Sequence, residues 1–408
     1  PGDLADLNAR HAAVLGQEAI YDFVVATKLK EVLAPNQPLR WGLSSADGYG
    51  GGLLPLETYT TLQTLLPLTK VVPDGRLRER LTAIPDRRWL DLLGVEWVVA
   101  DKVRDLWIEG VYHDLGTPRV LRPGETLRWL VEPSFPADGV SLMVARPLPE
   151  GVTVAIRVNE GAWVPLSSEH LHPAVDAWFS ARLPLPAAFA RTVELHLSPA
   201  EADGQLGAPA NLALGGLTLT NSHLGSFEAL PASPNFRTTL SGDVKVYRRG
   251  DALGRAWVVP VAQRAPPGAI AASLADPAFD PRSEVVLAGG VRGDASGMPI
   301  DAARTTSGSV TWLRETPEAL VLRVTTDGAG WLVLADNWFP GWGATIDGTP
   351  VAIERANLFA RAVPIPSAGM HVVEFHYRPR SLVIGTTITA LALLALLGLT
   401  VKVTADRK

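Results

Sequence analysis

The chain has 408 residues, a net charge of −5 and a pI near 6.0. This length favours two to four domains, and the acidic balance argues against a general nucleic-acid-binding protein. Cysteine is absent, which excludes disulfides, thiolate metal ligands and a cysteine nucleophile. The 37 glycines and 33 prolines favour turn-rich β structure.

Residues 1–112 have the pattern of a mixed α/β region. The chain begins at Pro1 rather than Met, and residues 1–20 lack a signal-peptide pattern, so we expect a fragment or a processed product. Apolar spacing predicts an amphipathic helix over 17–34. Further predicted elements are helices at 56–66, 76–83 and 87–93 and a buried strand at 95–101.

Residues 113–225 change to short alternating apolar runs separated by turns. Six or more strands at even spacing predict a β-sandwich or jelly roll, similar by texture to carbohydrate-binding modules. The runs VKVYRR and AWVVPVA after this block are similar to VEWVVAD before it. We therefore expect the sandwich to be inserted in a discontinuous α/β domain made of residues 1–112 and 226–308.

A second all-β module is predicted over 309–380. Its seven candidate strands suggest a small immunoglobulin-like sandwich next to the membrane, and Asp327-Gly328 and Asp347-Gly348 are hairpin signals. The predicted fold class is thus multidomain and mainly β, with one α/β domain, two sandwiches and a C-terminal transmembrane helix.

The segment Leu382–Val401 contains twenty residues without a charge. At about 1.5 Å per residue it spans about 30 Å, the thickness of the hydrocarbon core. We expect a transmembrane helix over 381–402 and a short basic tail over 403–408. The basic tail favours a cytoplasmic C-terminus and an extracytoplasmic N-terminal bulk in a bacterial plasma membrane.

The sequence contains several weak site signals. The Gly-rich loop at 48–52 lacks a phosphate-binding motif. His170 and His172 could bind a metal with Asp176, but this spacing is weak without a further ligand. The tripeptide Arg-Gly-Asp at 292–294 is easily accidental, and His371 and His376 should face opposite sides of a strand. We predict no metal site and no cofactor.

Tryptophans near 340 are the only binding candidates. Trp338 and Trp342 could form a carbohydrate-binding platform, although buried tryptophan in a sandwich core is the commoner use. Asp336 precedes them at a strand end, and Asp47 and Asp347 also stand near aromatic residues, but no catalytic pair can be selected. We therefore assign no catalytic residue.

Four stretches resemble the bacterial YfhO-like family of polytopic membrane proteins. They are APNQPLRWGLSSADGYGGGLLPLETYTTL, LLGVEWVVADK, VKVYRRGDALGRAWVVPVA and, most specifically, NWFPGWGATIDGTPVAIERANLFARAVPIPSAGMHVVEFHYRPRSLVIG. The resemblance covers residues 17–112 and 226–408. It implies a GT-C-type glycosyltransferase-like protein that uses a lipid-linked sugar for cell-envelope polymers. It also implies that the catalytic loop lies in an N-terminal membrane domain outside this chain.

These observations lead to two main hypotheses and one weaker hypothesis. In the leading hypothesis, the chain is a non-catalytic extracytoplasmic portion of such a protein, with the bilayer, the N-terminal membrane domain and envelope polysaccharide or lipid-linked sugar as partners. In the alternative, it is a single-span surface protein that binds polysaccharide through its sandwiches. A secreted hydrolase has only scattered carboxylates in its favour.

Overall fold

The structure, a computed structural model, describes residues 9–11, 13–34, 37–47, 57–70, 77, 80–102, 105–145, 148, 152–175, 178–199, 211–242, 244–289 and 306–405. Strands are the commonest element among these residues, which confirms the predicted multidomain, β-rich class with one apolar C-terminal helix. The described chain forms two compact units. The N-terminal unit comprises Pro1–Pro55, Leu66–Leu90 and Val95–Ala252, and the C-terminal unit comprises Leu56–Leu65, Asp91–Gly94 and Leu253–Lys408.

The described α-helices include α1 (Gln17–Glu31), α2 (Glu57–Gln63), α3 (Arg87–Leu92), α4 (Ile270–Ala275) and α5 (Arg380–Ala405). The strands are β1 (Trp97–Asp101), β2 (Leu106–Ile108), β3 (Val111–His113), β4 (Arg119–Leu121), β5 (Thr126–Leu130), β6 (Ala137–Val144), β7 (Val152–Val158), β8 (Val164–Leu166), β9 (Leu171–Pro173), β10 (Phe179–Ala188), β11 (Thr192–Pro199), β12 (Leu212–Asn221), β13 (Ser226–Pro231), β14 (Phe236–Ser241), β15 (Val244–Arg249), β16 (Ala256–Val259), β17 (Val261–Ala265), β18 (Glu284–Ala288), β19 (Gly308–Thr316), β20 (Ala319–Thr326), β21 (Gly330–Leu334), β22 (Trp342–Ile346), β23 (Thr349–Val351), β24 (Glu354–Ala356), β25 (Ala360–Ile365) and β26 (Gly369–Tyr377). Short 3₁₀ turns lie at Pro38–Trp41, Ser168–His170 and Pro267–Ala269.

Two of the helix predictions in the first hundred residues are wrong in part. The predicted helix at 76–83 is absent from the described residues there, because Leu81 instead forms an isolated antiparallel bridge with Leu68. The predicted apolar stripe of α1 is only partly buried: Ile20 is 8% exposed, whereas Phe23 and Leu29 are 36% and 43% exposed. Helical spacing alone therefore does not show which face is buried.

The N-terminal unit is dominated by a ten-stranded antiparallel sandwich. One sheet has the order β13-β12-β6-β10-β9, with β4 also on β12, and the other has the order β5-β11-β7-β8. Alternate residues of both sheets point inward, as Val152, Val154 and Ile156 of β7 do, and build one apolar core. A small antiparallel sheet, β1-β15-β14, joins the chain on either side of this sandwich.

The C-terminal unit is a second sandwich, and it begins earlier than expected. Its sheets have the orders β16-β21-β25-β24-β18-β17 and β19-β20-β26-β22-β23. The predicted boundary at 308/309 is not a boundary between the units, because β16, β17 and β18 hydrogen-bond into the first of these sheets. The parallel pair β17–β18 also distinguishes it from the small seven-stranded sandwich that was predicted.

The two hairpin predictions have different outcomes. Asp347 and Gly348, with φ of 50° and 80°, join the paired strands β22 and β23 as a two-residue hairpin. The turn at Asp327-Gly328 is not a hairpin, because β20 and β21 belong to different sheets. There the Asp327 carboxylate accepts hydrogen bonds from the amide and hydroxyl of Ser307.

Helix α5 follows β26 after two residues. Its window Arg380–Leu397 has a mean hydropathy of 1.9 and none of it is buried. Exposed apolar side chains include Leu382 at 62% and Leu391 at 61%. A helix of this length and polarity fits association with a membrane, since water would otherwise solvate its whole apolar surface.

Candidate functional site

A cluster of arginine, carboxylate and tryptophan side chains lies at one end of the C-terminal sandwich. Arg255 immediately precedes β16, Asp336 follows β21 by two residues, and Arg361 lies in β25. These strands are neighbours, with Leu334 of β21 paired to Ala256 on one side and Arg361 on the other. The sheet register therefore brings the three charged groups together at the end of the sandwich from which α5 leaves.

Asp336 is held by both arginines. Arg255 donates from Nε to Oδ1 at 2.6 Å and from Nη2 to Oδ2 at 2.8 Å, which is a bidentate pair. Arg361 donates from Nη2 to Oδ2 at 3.0 Å. With both oxygens accepting from guanidinium groups, Asp336 is engaged as a structural counter-ion and is not placed as a general base.

Burial is most severe for Arg361, whose exposure is 3%. Its Nε and Nη1 atoms make no hydrogen bond within the described part of the chain. Burial lowers the pKa of the Arg361 guanidinium to about 10, against the opposing attraction of Asp336. Asp336 therefore compensates the buried positive charge of Arg361.

Arg255 has a more favourable environment. Burial disfavours its charged form, but hydrogen bonds and attraction from Asp336 and Glu315 outweigh burial and raise the pKa of its guanidinium. Glu315 accepts from Nη1 of Arg255 and is half exposed. The guanidinium also lies over the ring of Trp312, 4.8 Å from its centroid.

Trp342, the first residue of β22, is a half-buried part of this cluster. The Arg361 guanidinium lies 4.0 Å from its ring centroid, and Tyr377 packs beside it with ring centroids 5.3 Å apart. The indole also packs on the apolar core of the sandwich. One ring face is therefore already occupied by a cation–π contact, which leaves less surface for a sugar.

Trp338 has a different environment in the preceding loop. Its amide donates to the carbonyl of Phe359 at 2.5 Å, and Arg355 lies 6.0 Å from its ring. The ring contacts among the described residues do not include a Trp338–Trp342 pair. The two predicted platform residues thus share one segment but contact different arginines.

The predicted histidine candidates do not form a shared site in the described residues. His170 Nδ1 contacts the Ser167 hydroxyl at 2.7 Å, and Asp176 lies outside the described residues. His371 Nδ1 contacts Asp347 Oδ2 at 2.7 Å. The described residues contain no group of three His, Asp or Glu side chains able to hold a metal ion.

Three further sequence candidates remain: the Gly-rich loop, the Arg-Gly-Asp tripeptide and Asp47. The Gly-rich loop at 48–52 and the Arg-Gly-Asp tripeptide at 292–294 lie outside the described residues. The Asp47 carboxylate accepts a hydrogen bond from the amide of Leu77 at 2.8 Å, so it binds backbone within the N-terminal unit.

Sequence reasoning missed a buried ionic cluster in the N-terminal unit. Lys245 of β15 is 1% exposed, and its Nζ donates to the carboxylates of Asp105 and Asp114. The hydroxyls of Tyr112 and Tyr247 donate to the same two carboxylates, at 2.5 and 2.6 Å. Burial first, and then the neighbouring aspartates, raise the pKa of both tyrosine hydroxyls, so both remain donors. The sequence signal for this cluster was the alternation Lys245-x-Tyr247, which places both side chains on the same face of β15.

A cavity of about 350 Å³ opens in the same unit. Trp178, Val175, Leu115 and Arg119 contribute to its mainly apolar lining. Arg119 is also paired with Glu125. An aromatic ring and one cation in a concave apolar site are features of small-ligand pockets in general.

Comparison with known proteins gives distant structural neighbours only. No protein-family model and no curated protein sequence matches the chain. The arabinofuranosyltransferase AftD from Mycobacteria aligns at 14% identity and a TM-score of 0.19, over 70% of this chain and 24% of that one. The chain thus spans about a quarter of the length of AftD.

A second neighbour is the M60 catalytic domain of Clostridium perfringens ZmpB with its CBM51-1 and CBM51-2 domains. It aligns at 9% identity and a TM-score of 0.19, over 69% of this chain and 34% of that one. Alignments at these TM-scores establish neither a common fold nor a common activity.

Proposed function

We propose that this chain is a non-catalytic, extracytoplasmic portion of a bacterial membrane protein related to lipid-linked-sugar-dependent glycosyltransferases of the YfhO-like type. The observation that carries the proposal is α5, an apolar helix of 26 residues that directly continues a folded sandwich. Burying its exposed surface in lipid is strongly favourable, so the sandwich is tethered at the bilayer surface. The resemblance of four sequence stretches supplies the glycosyltransferase context.

The arrangement of charged groups favours a supporting role over a catalytic one. Asp336, the acidic candidate that directly precedes the two tryptophans, is held by Arg255 and Arg361. The buried Asp105 and Asp114 are likewise bound by Lys245. These carboxylates stabilise their units, because each compensates a buried cation.

Two measurements test this proposal. The coding region upstream of Pro1 should contain a series of further hydrophobic spans with an acidic residue in an early outer loop. The full-length protein should then transfer sugar from a polyprenyl-linked donor, whereas the chain described here should not. Sugar transfer by this chain alone would refute the non-catalytic role, and a single signal peptide upstream would refute the polytopic context.

The second candidate function is polysaccharide binding by a single-span surface protein. The specific observation in its favour is the cavity lined by Trp178, together with the half-buried ring of Trp338. Glycan binding measured by calorimetry should then weaken in Trp178→Ala if the cavity binds, or in Trp338→Ala and Trp342→Ala if the predicted platform binds. Unchanged affinity in all three variants would remove this function.

A further inference from the structure

The loop Asn337–Gly341, here called the foot loop, is attached to the segment that leads into α5. The Gly341 carbonyl accepts a hydrogen bond from the Arg378 amide at 2.8 Å. Gly341 has φ of +109°, and a Cβ there would lie 3.0 Å from both Pro379 Cα and the Tyr377 ring. Only glycine suits this close, left-handed position. The foot loop is therefore fixed next to the first turn of the helix.

The foot loop carries apolar and aromatic side chains in exposed positions. Phe339 is 48% exposed, Pro340 is exposed, and Trp338 is half buried. Arg378 and Arg380 beside the loop are also exposed, and neither has an ion pair with another described residue. Aromatic rings with flanking arginines are typical of the interface between water and lipid.

The length of the helix sets the level of the bilayer against this loop. The twenty uncharged residues Leu382–Val401 account for the about 30 Å hydrocarbon core. Arg380 then lies at the headgroup level, with Arg378 within a few residues of it. Because the foot loop is hydrogen-bonded to Arg378, it reaches the same level.

We propose that the foot loop inserts into the interfacial layer of the leaflet that α5 enters. Phe339 and the exposed edge of Trp338 contact the upper acyl chains, and Arg378 and Arg380 contact lipid phosphates. The partner is the phospholipid bilayer itself. The sandwich is thus held with one end against the membrane and does not swing freely on its tether. This inference depends on α5 spanning a bilayer.

The opposite end of the sandwich provides a matched control. Strand β26 runs from Gly369 to Tyr377, nine residues, which span about 27 Å at the usual rise of a strand. Met370 near its far end is 66% exposed, so it is at least as accessible as Phe339. The proposal places these two exposed apolar side chains in different environments.

The chain contains no cysteine, so single labels need no background substitutions. We suggest attaching a nitroxide to Phe339→Cys, Met370→Cys and Leu391→Cys in the whole chain, reconstituted in nanodiscs of mixed zwitterionic and anionic phospholipid. Power saturation with oxygen and with a water-soluble nickel chelate measures immersion depth. The Leu391→Cys label reports whether α5 is in the bilayer.

The proposal expects a label at 339 that is several-fold less accessible to nickel than the label at 370, about 5–10 Å below the phosphates. The proposal would be overturned if the label at 339 were as accessible to nickel as the label at 370. It would also be overturned if the label at 339 were shielded from both oxygen and nickel, because that would show contact with protein. If the 391 label also contacted nickel freely, the membrane anchor itself would be absent, and the proposed function would fail with the foot loop.

Discussion

Substitution of Asp336 by Asn tests whether the Arg255–Asp336–Arg361 cluster stabilises the C-terminal sandwich. The amide preserves the size of the side chain but removes the charge that compensates Arg361. Arg361 is only 3% exposed and has two further nitrogens without hydrogen-bond partners among the described residues. Its cation would therefore remain buried with little compensation.

Removing one partner of a buried ion pair typically costs about 3–5 kcal/mol. Asp336 retains some solvent, with a side-chain exposure of 14%, so we expect the lower end, about 3 kcal/mol. Glu315→Gln is the matched control, because it removes the other carboxylate on Arg255. That side chain is 46% exposed, and an exposed pair contributes about 0.5 kcal/mol.

Hydrogen exchange followed by mass spectrometry measures the effect locally in the whole chain. Since about 1.4 kcal/mol is a factor of ten, amides of β21 and β25 should exchange about a hundredfold faster in Asp336→Asn and about twofold faster in Glu315→Gln. Wild-type protection in Asp336→Asn, or equal losses in the two variants, would refute the argument that burial decides the contribution of each pair.

Three further predictions concern buried or hydrogen-bonded titratable groups. Lys245→Met leaves two buried aspartates without their cation, so it should lower the free energy of unfolding by about 3–5 kcal/mol, as measured by hydrogen exchange in β15. The control variant Arg248→Met loses a largely exposed ion pair and should lower the free energy of unfolding by at most about 1 kcal/mol. Burial lowers the pKa of His113 to about 4, so the unfolded chain binds the proton first and stability should fall by about 3 kcal/mol as pH drops from about 6.5 to 4. Urea unfolding across this range should show that fall in the wild type and a smaller one in His113→Gln; equal slopes would contradict it. The hydrogen bond to Asp347 raises the pKa of His371, so its stabilisation is present below about pH 6.5 and is lost as pH rises through the folded-state value. A proton NMR titration of His371 at or below the ordinary histidine value would contradict this.

Much of the architecture follows from patterns in the sequence. Alternation of apolar residues predicts most strands of both sandwiches, and the uncharged run Leu382–Val401 predicts α5. The Asp347-Gly348 hairpin follows from its turn residues. These features depend on neighbours along the chain, which a single sequence shows directly.

Features that depend on distant partners were not predictable in the same way. All four residues of β16 are buried, and such a run fits any central strand, so periodicity does not show that it pairs with β21, about seventy residues away. In β15, Lys245 and Tyr247 are buried while Val244 and Val246 are only half buried. This inversion exists because Asp105 and Asp114 come from another part of the chain to meet Lys245.

In the candidate site, too, features set by neighbouring residues were predictable and contacts between distant residues were not. The tryptophans near 340 were found because they are rare, large residues in a turn-rich segment. Their contacts with Arg355 and Arg361 depend on the register between β24, β25 and the preceding loop. The Arg255–Asp336 pair joins residues 81 positions apart and has no local signal.

The membrane anchor is tested most directly by alkaline carbonate extraction of cell membranes that contain the whole chain. The chain should stay in the membrane pellet, and Leu391→Arg, which places a charge at the centre of the apolar helix, should shift it to the supernatant. Release of the unaltered chain into the supernatant, with its sandwiches still folded, would contradict the central claim that α5 anchors the β-rich part of the chain to a bilayer.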